Sequence, residues 1–307
     1  MASIVKSRRS GVNQGRTTFI ISFLVIPLAL YTIFVLVPYF TAMLVSLTKW
    51  RGLSMNITFN GINNFIKLFN DPRFWNALSH NFIALIVLPP VILGLALFFA
   101  FLFTQGLRGS RFFRVTFFFP QVMSVVVVAV LWSFVFHPTL GILNAVIKVL
   151  GLQALVGFPW LGDPATVFPA ILSVVVWQSV GFYMVLFVAG MAGIPMDYYE
   201  AAKIDGANAW TLFWRVTLPL LWSTVQVGIV FIGIGAMDLF AIVNVMTNGL
   251  GGGPSHAADV VPTYLTESAF THGEWGYATA MGVVLLVLIL GLSALSLRLT
   301  RRDSVEY

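Results

Sequence analysis

Six runs of 20 or more mostly apolar residues recur along this chain, at about 18–45, 77–104, 114–136, 167–191, 220–246 and 276–298, separated by short polar segments. A helical run of that length spans the roughly 30 Å of hydrocarbon in a bilayer. Charged residues make up 9% of the 307 residues, against roughly a quarter in a soluble domain. A surface so poor in charge cannot face water, and the mean hydropathy of +0.92 agrees. The pattern predicts an all-α integral membrane protein with six transmembrane helices. An outer-membrane barrel is excluded, because its strands read as segments of about 10 residues with alternating polarity. The absence of cysteine rules out disulfides, thiolate metal sites and a cysteine nucleophile.

The net charge of +6 resembles a nucleic-acid signature, but its distribution points to membrane topology and no nucleic-acid partner is expected. Twelve of the 17 Lys and Arg residues fall on one side of the predicted spans, among them Lys6, Arg8, Arg9, Arg16, Arg108, Arg111, Arg114, Lys203 and Arg215, with Arg298, Arg301 and Arg302 in the tail. Lys49, Arg51, Lys67, Arg73 and Lys148 fall on the other. Cytoplasmic loops retain positive charge, so both termini and the loop 192–219 are expected in the cytoplasm. The basic start before the first run resembles a secretion signal. The run is too long for a signal core and no clear cleavage site follows, so a retained first helix is expected. The organisation is a tail 1–17, a six-helix domain 18–300 and a tail 301–307. The outer loops predict a short helix within 59–75 ended by Asp71-Pro72, and a surface helix within 137–152 carrying Ile142, Val146, Val149 and Leu150. Beyond them, a glycine turn at 247–254 is expected to lead into a polar surface. Pro89-Pro90 and Pro120 are expected to kink the second and third spans. The four histidines lie scattered at span ends and in outer loops, with no metal-ligand spacing.

The most polar stretch of the second half reads "EAAKIDGANAWTLFWRVTLPLL", residues 200–221. Pro195 and Asp197 suit the start of a helix. Gly206 can take the left-handed conformation that ends one, and Asn208 can cap a second before Pro219 begins the next span. The result is a helix–turn–helix beneath the membrane. Trp210, Phe213 and Trp214 make its second helix strongly apolar, which demands a lipid interface or a protein groove.

The spacing of Glu200-Ala201-Ala202, Gly206 and Leu218-Pro219 resembles the EAA loop of ABC importer permeases, and Asp205 ahead of the glycine resembles the sugar-importer branch. "FNGINNF", "DPRFW", "FFRVTFFFPQVMS", "WLGDP" and "VNVMTNGLGGGP" agree in order, although the turn Thr247–Pro254 is longer than the family's usual one. The resemblance runs from about residue 18 to 300. It implies the type I importer permease architecture in a bacterial inner membrane, as one subunit of a complex. The implied partners are a second, homologous permease, two cytoplasmic ABC ATPases and a solute-binding protein at the outer face. ATP and Mg would sit on the ATPases, since no phosphate-binding G-x-x-x-x-G-K-[ST] run occurs here, and no cofactor is expected on this chain. The loop would be the coupling element, with Trp210, Phe213 and Trp214 as its apolar plug, Gly206 as its turn and Glu200 as a polar link. Without the resemblance, the tryptophans fit equally well at lipid headgroup level.

A translocation path needs polar groups inside the bundle. Ser173, Trp177 and Gly181 form one stripe of the fourth span, with Gln178 and Tyr183 beside it. Aromatic faces suit the apolar side of a sugar ring and amides suit its hydroxyls. Asp238 is the acidic residue well inside a predicted span, where lipid exposure would cost at least about 2.5 kcal/mol. Gly228 and Gly235 lie near its face and are expected to allow close helix packing, and Asn244 sits near the outer end. Each has a structural alternative: Gln178 and Ser173 bonding a neighbouring helix, Asp238 paired with a partner, Asn244 as a cap. The expected function is uptake of a di- or oligosaccharide by alternating access. The alternatives are a stand-alone ion-coupled sugar transporter, which needs more intramembrane carboxylates, and a membrane enzyme, which needs a nucleophile–base pair or clustered ligands that do not occur. No catalytic or metal-binding residue is assigned.

Overall fold

A computed structural model describes residues 19–52, 56–104, 109–249 and 251–299. The terminal tails and Arg108, part of the charge argument above, lie outside them. Among the described residues the regular secondary structure is helical, apart from one antiparallel bridge between Thr48 and Phe59. In chain order the helices are α1 (Phe19–Ser46), α2 (Asn63–Phe69), α3 (Pro72–Thr104), α4 (Ser110–Val122), α5 (Val125–Val135), α6 (Ile142–Val149), α7 (Val167–Ala192), α8 (Met196–Ile204), α9 (Ala209–Leu220), α10 (Trp222–Met237), α11 (Phe240–Met246), α12 (Val261–Phe270) and α13 (Trp275–Leu299). Four of them, α1, α3, α7 and α13, are long and apolar enough to cross a membrane unbroken.

The third and fifth runs, expected as single spans, are bent. Helices α4 and α5 meet at 102° across Met123-Ser124, and α9 and α10 meet at 68° across Leu221. Pro120 precedes the first bend by one turn, as expected of a residue that cannot extend the hydrogen-bond ladder. Pro89 and Pro90 do not divide α3, which runs through both as one helix. Pro219 closes α9 rather than opening the next span. The fifth run breaks again at Asp238-Leu239 before α11.

The main core lies where α3, α7 and α10 pack together. Leu88, Ile92, Ile171, Val174, Met184, Phe187 and Ile232 are buried there. Small residues set the helix spacing. A Cβ on Gly181 would lie 1.7 Å from the Phe117 carbonyl oxygen of α4, so α4 and α7 touch backbone to backbone. Gly228 receives Leu93 of α3, and Gly190 receives Leu221, the buried residue at the α9–α10 bend. A smaller core joins α2, the start of α3, α12 and α13 through Leu68, Phe74, Tyr264, Tyr277 and Met281. Helix α1 packs on α13 and exposes nearly all of its apolar surface.

Every break frees backbone groups, and in hydrocarbon these need protein partners. Asn81 of α3 is fully buried. Its Nδ2 donates to the Ala236 carbonyl at 2.9 Å, in the last turn of α10, and its Oδ1 accepts the Val261 N–H at 2.9 Å, at the start of α12. One amide therefore pins three helices at the Asp238 break.

The end of the molecule opposite the α8–α9 elbow, residues 196–220, is tied by charge. Asp71 caps α3 by accepting the Arg73 N–H at 2.9 Å, with Pro72 at the first helical position. It also accepts the hydroxyls of Tyr264 and Tyr277. Arg73 forms a two-pronged pair with Glu267 and donates Nε to Asp259 at 2.8 Å. Asp259 also accepts Thr263 Oγ1 at 2.6 Å, and its carbonyl contacts His80 Nδ1 at 2.7 Å. The stretch after the glycine turn, expected to offer a polar surface, instead buries Ala258 through Val261, because Asp259 turns inward to Arg73. Helix α6 matches its expectation: Asn144 and Ile147 point inward while Ile142, Val146, Val149 and Leu150 are exposed, an apolar face suited to a bilayer surface.

Two outcomes follow. Asn81→Leu leaves the Ala236 carbonyl and the Val261 N–H unpaired, costing about 1–3 kcal/mol per group; a lower midpoint in thermal unfolding of the detergent-solubilised protein checks this. The Arg73 hydrogen bonds hold the Glu267 carboxyl below its ordinary value of 4.5. A depressed folded pKa gives stability that is complete above the unfolded value and fades as pH falls through the folded one. Wild type should exceed Glu267→Gln by about 1–2 kcal/mol at pH 7, and the gap should shrink as pH drops below about 4. Unfolding midpoints of both proteins across pH 3–7 test it.

Candidate functional site

At the Asp238 break a cavity of about 410 Å³ opens between α3, α7, α10 and α11. It exists because α10 stops short of α11 and its last turn is held aside by Asn81. Gln178, Ser179 and Tyr183 line it from α7, Phe231 and Gly235 from α10, Asp238 from the break and Phe240 from α11. A Cβ on Gly235 would meet nothing within 4 Å. That glycine therefore leaves room in the cavity instead of serving the close helix packing expected of it; Gly228 does serve that packing.

Three of the five expected path residues, Gln178, Tyr183 and Asp238, meet at this cavity. Asp238 is exposed to it, and no Lys, Arg or His among the described residues pairs with its carboxylate. Tyr183 is mostly buried, with its ring against Gly228 and edge-on to Phe182. Gln178 Nε2 donates to the Met123 carbonyl at 3.3 Å, where the 102° bend frees it. This amide thus holds the α4–α5 break while lining the cavity.

The other two lie elsewhere. Trp177 packs edge-on against Trp132 at 5.3 Å, and Ser173 of its stripe bonds back to the Ala170 carbonyl of its own helix. Asn244 is half-buried in α11, and its backbone carbonyl accepts the Gly249 N–H at 2.7 Å as the chain enters the glycine turn. Sequence reasoning missed Asn81, Ser179, Phe231 and Phe240. A lone asparagine within an apolar run was the available signal for Asn81; nothing in the local pattern marked the aromatic pair.

The elbow at the other end of α10 is built as its residues dictate. Pro195 precedes α8, and Asp197 sits in its first turn. Gly206 has φ +82°, the Ala207 N–H reaches back to the Ala202 carbonyl at 2.9 Å, and the Gly206 N–H reaches Lys203 at 3.0 Å. These paired bonds close the helix and satisfy its last carbonyls. Asn208 Oδ1 accepts the Thr211 N–H at 2.8 Å and caps α9. Tyr199 Oη and Thr217 Oγ1, 3.2 Å apart, join the two arms.

The three expected plug residues divide. Phe213 is buried against Phe101 of α3, ring centroids 5.1 Å apart, and anchors the elbow to the bundle. Trp210 and Trp214 stack edge-on to each other at 5.6 Å and stay 65% and 49% exposed. Glu200, Ala201, Asp205, Gly206 and Pro219 are exposed, while Ala202 and Leu218 are half-buried.

Comparison with known proteins gives these features a setting. Residues 92–303 match the family model described as the binding-protein-dependent transport system inner membrane component. The diacetylchitobiose uptake system permease protein NgcF of Streptomyces coelicolor is 40% identical over 299 residues, covering 94% of this chain and 84% of that protein. The probable ABC transporter permease protein YurN of Bacillus subtilis is 35% identical, covering 96% of this chain and all of that protein. The lactose transport system permease protein LacF of Rhizobium radiobacter is 31% identical, covering 87% and 89%. Among solved structures, a chain of a bacterial ABC transporter that imports the acidic polysaccharide alginate superposes with a TM-score of 0.79 at 21% identity, covering 96% of this chain and 99% of that one, which shows a shared fold. The expected all-helical importer-permease architecture is thus found, and the chain belongs to the family of inner membrane components of binding-protein-dependent transport systems, as a permease subunit of an ABC importer rather than an enzyme.

Proposed function

We propose that this chain forms one half of the path by which an ABC importer brings a di- or oligosaccharide into the cell. The observation that carries this reading is the cavity at the α10 break, where an unpaired carboxylate, an amide, a hydroxyl and aromatic rings converge inside a membrane bundle. Aspartate and glutamine bond sugar hydroxyls, and Tyr183, Phe231 and Phe240 offer faces to the apolar side of a sugar ring. The names of the relatives, which include diacetylchitobiose and lactose transport permeases, support a sugar cargo.

The elbow is the point of energy coupling. Its outward surface carries Glu200, Asp205, Trp210 and Trp214, a mixed acidic and aromatic knob that fits a cleft on a partner ATPase holding ATP and Mg. The excess of Lys and Arg on the same side supports a cytoplasmic position for this knob, and the family supports a bacterial inner membrane. The opposite end, with α2 and the glycine turn 247–254, faces a solute-binding protein; a solved alginate transporter is described in complex with such a periplasmic protein. Apolar surface left exposed on α1 and α10 suits a second, homologous permease. ATPase closure on ATP drives the elbows, and the elbows swing α10 and its cavity between the two sides.

Uptake by the reconstituted complex in proteoliposomes tests the reading. Transport should require ATP and the binding protein; accumulation by this chain alone under a proton or sodium gradient would replace it with an ion-coupled transporter. Asp238→Asn should lower uptake about tenfold or more while the complex still assembles, since a charge-assisted bond to cargo is worth about 1.5–3 kcal/mol; unchanged transport kinetics would remove Asp238 from the path. Trp210→Ala should leave the chain folded, because that side chain is mostly exposed, and should weaken ATPase capture in pull-down by about tenfold or more, as expected for an interface anchor worth at least about 2 kcal/mol.

A further inference from the structure

The geometry points to a second site, for a phosphate-bearing anion, on the inner face of the elbow. A cavity of about 730 Å³ lies between the elbow and the adjacent ends of α3, α4 and α7. Arg114 of α4 and Lys203 of α8 both line it, and neither is ion-paired with any described carboxylate. Among the described lining residues there is no Asp or Glu. Arg114 is oriented by one bond, from Nη2 to the Phe103 carbonyl at 3.3 Å, while its Nε is buried with no acceptor. A buried guanidinium donor left unmade is costly, and an anion in the cavity supplies the missing acceptor. Tyr199 and Thr217, already within hydrogen-bond distance of each other, add hydroxyls to the same lining.

The remainder of the wall is apolar, including Phe101 and Val188. Two cations and hydroxyls beside an apolar wall suit a tetrahedral phosphate attached to a less polar body. Arginine presents its donors in the geometry a phosphate accepts. The source is either an anionic phospholipid headgroup or a water-soluble phosphate compound. The site goes beyond the transport reading and does not compete with it, since Glu200, Trp210 and Trp214 are absent from this lining. An anion held here ties Lys203 of the elbow to Arg114 of the bundle, so its occupancy sets how tightly the elbow follows the spanning helices.

Thermal unfolding of the purified full-length chain in detergent, titrated separately with phosphatidylglycerol, phosphatidylcholine and inorganic phosphate, tests the proposal. A saturable rise in midpoint with phosphatidylglycerol assigns a lipid source, and one with inorganic phosphate assigns an aqueous source; either upholds the site. Arg114→Gln should weaken the apparent affinity about tenfold or more, as loss of a charge-assisted bond requires. Arg114→Lys should retain part of it. Arg111→Gln, exposed and outside the lining, should leave it unchanged. Should Arg114→Gln fail to fold, the exposed Lys203→Gln takes its place with the same expected loss. No response to either anion, an equal response to zwitterionic phosphatidylcholine, or undiminished affinity in the glutamine variant would overturn the assignment.

Discussion

A helix that stops inside a bilayer exposes carbonyls to a solvent that cannot bond them, and the architecture of this permease depends on how two side-chain amides meet that demand. Asn81 donates to the end of α10 and accepts from the start of α12. Gln178 donates to Met123, where α4 gives way to α5. With no water available, each such bond replaces a group that would otherwise cost several kcal/mol. The cavity between the breaks is their product: an uninterrupted fifth span would fill the space that Asp238 now faces.

The elbow solves a different problem, that of a small projection which must be firm and yet available. Its firmness comes from the left-handed Gly206, the Asn208 cap, the Tyr199–Thr217 contact and the burial of Phe213 against Phe101. Its availability comes from the side chains left over. Trp210 and Trp214 share a helix with Phe213 but point away from the bundle. The arms and α10 are one covalent run bent by 68° at Leu221, which is buried against Gly190 of α7, so the knob is continuous with the wall of the cavity.

Much of this was legible in the residues. The caps and turn of the elbow followed from Asp197, Gly206 and Asn208, whose chemistry is local. The same holds for the end of the short helix α2 just before Asp71-Pro72 and for the apolar face of α6, whereas the role of Asp71 and Pro72 in opening α3 went unread. What sequence could not give were features set by contacts far apart in the chain. Asp259 looked like part of a polar loop because its partner, Arg73, lies 186 positions away. Asn81 passed unremarked because its partners lie 155 and 180 positions away. Apolar periodicity reports that a segment is buried in lipid or protein, but it is blind to a bend made by unpaired peptides, so the breaks in the fifth span went unread, while Pro120 did signal the kink in the third. Of the stripe through Ser173, Trp177 and Gly181, which looked like a path, Ser173 and Trp177 are exposed outside the lining of the Asp238 cavity, while Gly181 makes a packing seam with α4.

That seam has a mechanical meaning. With the Phe117 carbonyl seated where any side chain at position 181 would have to be, α4 and α7 have no slack along their contact and cannot slide or part without losing it. They are packed as a single strut. Gly235, with nothing near it, sits at the other extreme. The wall of the cavity with room to yield is therefore the α10 side, around Gly235, and not α7, which is locked to α4.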